Sequence, residues 1–113
     1  PYDFLSIALG ACTSMTLRMY ADFKKLDLGR VSVAVDHGKV HAQDCADCAE
    51  DIQTKGGKVD RFERRITVEG LDPAANPDLA AKIAEIADKC PVHRTIEKGA
   101  AVVTKVISTE VNG

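Results

Sequence analysis

A chain of 113 residues that is 45% hydrophobic and 28% charged has the composition of one small globular domain, which excludes a disordered or fibrous class. Its net charge of −2, with acids and bases interspersed, builds no basic field for nucleic acid or anionic lipid, so neither is an expected partner. A domain this small hides roughly two thirds of its unfolded surface, and a second copy is a natural way to cover more.

The chain opens at Pro1 without a methionine and runs straight into an apolar segment, so an upstream portion is expected to be missing. From Asp3 to about Phe23 the apolar residues recur at 4, 5, 8, 9, 11, 12, 15, 19 and 20, which is helical spacing. Ser6, Thr13, Ser14, Thr16 and Arg18 interrupt it, so it lacks the ~20 consecutive apolar residues of a spanning helix. It has no basic head and does not read as a signal peptide. Small residues at 6, 8, 10, 11 and 12 let other elements approach from several sides, and the segment reads as a central helix.

In "GRVSVAVDHGKVHA", residues 29–42, Val31, Val33 and Val35 alternate with smaller or polar residues, the pattern of a half-buried strand. Residues 43–58 carry almost no apolar period and end in Gly-Gly, which predicts a loop or hairpin tip. "VDRFERRITVEGL" then alternates Asp60, Phe62, Arg64, Ile66 and Val68 against Val59, Arg61, Glu63, Arg65 and Thr67. Phe62, Ile66 and Val68 are expected to face the core and the charges to face water.

Asn76-Pro77-Asp78 is a helix start, and Leu79, Ile83, Ile86 and Ala87 supply its buried face. Pro91 ends or kinks that helix after Cys90, and "VHRTIEKGA" continues as a short second helix to Gly99. "AVVTKVIST" is a β-branched run that predicts a closing strand. Helices and strands do not alternate regularly, so the expected class is α+β with a largely antiparallel sheet, in a single domain over residues 1–113.

Four cysteines are too few for a disulfide-stapled secreted scaffold, and a Cys-x-x-Cys pair among them favours a reducing, cytoplasmic setting. Cys12 sits more than two turns into its helix, where the dipole no longer lowers a thiol pKa, and by itself it reads as core packing. Cys90 is ambiguous. If Pro91 begins a new helix, Cys90 is its N-cap and gains the dipole; if the first helix simply ends there, the dipole opposes a thiolate. Cys45 and Cys48, with His37 and His41 before them, make four possible zinc ligands. On an extended strand the two histidines stand about 13 Å apart, too far to share one ion, which favours a reversible disulfide or spare thiol pair in the loop.

"PYDFLSIALGACTSMTLRMYA" and "KCPVHRTI", in this order with two strands between them, resemble the OsmC/Ohr family of osmotically inducible and organic-hydroperoxide-resistance proteins. There a Pro-x-x-(Leu/Phe) helix start leads to an Ala-Cys in a long central helix, and a second cysteine comes later. The resemblance covers nearly the whole chain. It implies an OsmC-like α+β fold, an intertwined homodimer with the site at the subunit interface, and a thiol peroxidase that reduces organic hydroperoxides. It implies Cys12 as the peroxidatic and Cys90 as the resolving cysteine, a dithiol as reductant, and no metal or bound cofactor. Two departures stand out. Tyr2 occupies the place of a carboxylate, the acid being Asp3, and the family's arginine belongs to N-terminal strands expected to be missing here, with Arg18, His93 or Arg94 as substitutes. The CADC loop resembles the branch sometimes joined to a hydrolase domain. These departures support the alternative of an OsmC-like dimeric binding or redox-sensing module without efficient peroxidase turnover.

Overall fold

The computed structural model describes residues 2–45, 48 and 56–108. Helix α1 spans Tyr2–Phe23 and buries Leu9, Gly10, Thr13, Leu17 and Ala21, a single stripe at helical spacing. It ends where Lys25 turns to a positive φ of 55°. Strands β1 (Val31–His41) and β2 (Lys58–Val68) form an antiparallel ribbon in unbroken register, from Val31 opposite Val68 to His41 opposite Lys58. A 3-10 turn, Ala42–Asp44, follows β1 and is tied to the other arm by the Ala42 amide donating to the Gly57 carbonyl at 2.8 Å. Helices α2 (Pro77–Ala87) and α3 (Pro91–Lys98) follow, each with proline in its first turn, where the missing N–H costs nothing. Gly99 closes α3 at φ 79°.

The core is where α1, the ribbon and α2 converge: Leu17, Val68, Ile83 and Ile86, with Tyr20, Val31, Ile66 and Leu79 packed around them. The α+β class and the antiparallel sheet therefore agree with the sequence reading, and Ile83, Ile86 and Ala87 do form the buried face of α2. Most of the loop expected between the strands (residues 46, 47 and 49–55) lies outside the described residues.

The closing strand is a correction. Residues 101–108 adopt no regular structure and are exposed throughout, with Val102 at 89% and Val106 at 96%. β-Branched composition says that a segment suits a pleated surface, but a strand also needs a neighbour to bond to, and none is supplied within the described chain. The radius of gyration, 18.5 Å, exceeds the roughly 13 Å of a compact chain of this length.

Gly29 marks the tightest approach between segments, beside the start of β1. A Cβ there would fall 2.3 Å from the Glu69 carbonyl oxygen, while the Glu69 amide donates to the Arg30 carbonyl at 2.9 Å. A Cβ at Gly10, by contrast, would lie an ordinary 3.5 Å from Val35. Gly29→Ala is therefore expected to lower unfolding stability by about 1–3 kcal/mol in urea titrations. Gly10→Ala should be neutral or stabilising by up to about 1 kcal/mol, through better helix propensity.

Candidate functional site

The fold brings Cys12 and Cys90, 78 positions apart in sequence, close together. Cys12 lies midway along α1, just outside its buried stripe, and is partly exposed. Cys90 is fully buried at the joint between α2 and α3. Both are free thiols, and Cys12 lies near enough to Cys90 to bias its ionisation.

The ambiguity at Cys90 is resolved by Pro91, which begins α3 and makes Cys90 its N-cap. The Cys90 carbonyl accepts the first-turn bond from the Arg94 amide at 3.1 Å. The sulfur does not close a full capping hydrogen bond, yet it lies at the positive end of the helix. Burial pushes the Cys90 thiol up; the nearby Cys12 S–H and the amides of His93 and Val92, all pointing positive charge at the sulfur, outweigh it, so its pKa lies below the ordinary thiol value.

Beside the thiols sits a side chain that its charge assigned to solvent. Arg64 on β2 is in phase with Phe62, Ile66 and Val68, and its side chain is only 11% exposed. Its Nη1 donates to Thr13 Oγ1 at 3.1 Å and its Nη2 to Asp88 Oδ1 at 3.0 Å. Thr13 is fully buried and donates its own proton to the Leu9 carbonyl at 2.6 Å. The signal was present in the two-residue period, which puts Arg64 on the inner face; the usual preference of charge for water hid it.

Of the substitutes named from sequence, Arg18 and His93 have other partners and Arg94 faces solvent. Arg18 donates to the Leu28 and Gly29 carbonyls at 3.4 and 3.0 Å, pinning α1 to the turn before β1. His93 pairs with Glu97 at 3.1 Å and stands 4.0 Å from Asp88, while Arg94 is exposed. Tyr2 stacks on His37, ring centroids 4.1 Å apart, and His37 in turn bonds Asp60 at 2.8 Å. Ten residues of helix, about 15 Å of rise, separate Tyr2 from Cys12.

The OsmC-like protein family model matches residues 1–105. The chain belongs to the OsmC-like protein family. Comparison with curated proteins and with solved structures returned no match. Membership supports a thiol-based redox role in general terms, and this OsmC-like chain carries two cysteine pairs with which to perform one.

The second pair, Cys45 and Cys48, is joined as a disulfide with its Cα atoms 5.3 Å apart, so neither sulfur is in the thiolate form that metal ligation needs. Among the described residues no three of His, Cys, Asp and Glu gather into a metal-binding group, and no helix is long and apolar enough to cross a membrane.

The environment of Cys90 has a measurable consequence. Thiolate absorbance followed against pH should show Cys90 ionising below the ordinary thiol value. Cys12→Ala, which removes a donor while leaving burial in place, should move that midpoint upward; Cys12→Ser, which keeps a donor, should not. Because folding lowers this pKa, the stability it contributes is complete above the unfolded thiol's value and is lost as pH falls through the folded value.

Proposed function

We propose that the protein reduces organic hydroperoxides to alcohols through a sulfenic acid on Cys12 and a Cys12–Cys90 disulfide. The observation that carries this reading is that the fold places two free thiols near each other, one reachable from solvent and one buried. The Cys12 S–H passes its proton to the Cys90 thiolate. The Cys12 thiolate so formed attacks the terminal peroxide oxygen, the O–O bond breaks, and the alkoxide leaves as alcohol with the proton from Cys90. Cys90, again a thiolate, attacks the sulfur of the Cys12 sulfenic acid and displaces hydroxide, which becomes water on taking up a proton. A dithiol reductant then reopens the disulfide by exchange and is itself oxidised. These steps use no bound cofactor.

The reading includes a homodimer. The face of α1 away from the core exposes Phe4 (80%), Met15 and Met19 (69%), and Val102, Val103, Val106 and Ile107 are exposed as well. Apolar surface of this kind on both a helix and a β-branched segment favours cover by a second copy, in line with the extended shape of the single chain.

The decisive assay is consumption of a dithiol driven by a bulky organic hydroperoxide, compared with hydrogen peroxide. Cys12→Ser should fall to the uncatalysed background. Cys90→Ser should lose at least about tenfold in turnover, because an intramolecular resolving step becomes bimolecular. Full turnover in Cys12→Ser overturns the reading, and a wild type whose accessible thiol reacts only slowly favours the redox-sensing alternative. For the dimer, sedimentation should give twice the chain mass. Met19→Glu should raise the dissociation constant at least about 100-fold, as an apolar side chain worth roughly 1.5–3 kcal/mol is lost in each copy.

A further inference from the structure

We propose that Arg64 is a positioning residue for thiol–disulfide chemistry: its guanidinium ties the turn of α1 that carries Cys12 to the joint that carries Cys90, and so holds the two sulfurs at exchange distance. The inference rests on Cys12 and Cys90 being an exchanging pair, and it concerns how that pair is held.

The two thiols belong to elements that meet only through tertiary packing. Cys12 is next to Thr13 on α1, and Cys90 follows Asp88 by two residues at the end of α2. Arg64 reaches both from β2, one nitrogen on Thr13 and another on Asp88. A guanidinium that is 89% withdrawn from solvent is costly unless its donors are met, and here each arm is met on a different helix. The planar fork fixes the angle between the arms, as a single ammonium on a flexible stem does not.

Asp88 supplies a second argument. It is the C-cap of α2, where the helix end carries partial negative charge and an acid is disfavoured. Its carboxylate is 63% exposed, so burial does not hold it there. What compensates the position is the bond to Arg64, with Lys89 engaged by Glu85 and His93 chiefly by Glu97. Thr13 is unusual in the same way. A buried hydroxyl inside an apolar stripe is satisfied by donating to Leu9 and accepting from Arg64, and it also lies against Cys90. Arg64, Thr13 and Asp88 thus form one bridge spanning the thiol pair.

The test is the effective concentration of Cys12 and Cys90, measured on the whole protein by equilibration with reduced and oxidised glutathione and mass-spectrometric reading of the disulfide. Arg64→Met should lower it by about tenfold or more, since small misplacements of reacting atoms carry large penalties. Arg64→Lys should restore only part of the loss. Asp88→Asn, at an exposed carboxylate, should lower it severalfold while leaving the fold intact, and it decides the matter if Arg64→Met does not fold. Gly29→Ala, which loosens the molecule away from the thiols, should leave it within twofold of wild type. An unchanged value in folded Arg64→Met, or in Asp88→Asn if that variant must decide, overturns the proposal. An equal fall in Gly29→Ala does the same by showing mere loss of stability. Because glutathione and not peroxide drives the measurement, a protein without peroxidase turnover still reports on Arg64. Failure of the catalytic reading and failure of this one are therefore distinguishable.

Discussion

The packing of one stripe of α1 onto the β1–β2 ribbon is the contact on which the other elements depend. Gly10 faces Val33 and Val35, Leu17 enters the core beside Val68, and Ile83 and Ile86 of α2 fill the same space from the other side. With so few residues fully buried, each contributes a large share of a small total, roughly 1.5–3 kcal/mol per large apolar side chain. The stripe also contains Thr13, a hydroxyl in a row of apolar groups. Packing thus fixes the position of one polar atom, and that atom sets where Arg64 and the joint around Cys90 lie relative to Cys12.

Much of this was legible in the sequence because the periods were clean. The helical spacing of residues 4–20, the alternation of Val31, Val33 and Val35, and the Asn76-Pro77-Asp78 start each correspond to an element in the expected place. Three things were not legible. Pro91 is compatible with ending one helix and with beginning another, and only the backbone decides that Cys90 caps the second. Arg64 was hidden because a charged residue in phase with Phe62 and Ile66 is ordinarily at the surface; its acceptors are 51 and 24 positions away, beyond any local pattern. Residues 101–108 have the composition of a strand, but pairing is a property of two segments, and composition reports on one.

Family membership and geometry bear on the thiols in different ways. Membership covers residues 1–105 and gives the redox role in general terms. The geometry adds what membership does not state: the surroundings of Cys90 favour its thiolate, through the amides at its helix N-terminus and its neighbour Cys12. It also separates the two cysteine pairs, since Cys45 and Cys48 are bonded to each other while Cys12 and Cys90 remain thiols. The pair at the helix joint is the one flanked by the buried bridge from Arg64 to Thr13 and Asp88.

The unequal depth of the two thiols has a further consequence. Any reagent arriving from solvent meets Cys12 first, because Cys90 lies beneath it with no surface of its own. Cys90 is thereby shielded from adventitious alkylation. The order in which the sulfurs react is built into the layering of the molecule, so a labelling experiment on the intact chain reads a sequence of events rather than a competition between two equivalent sites.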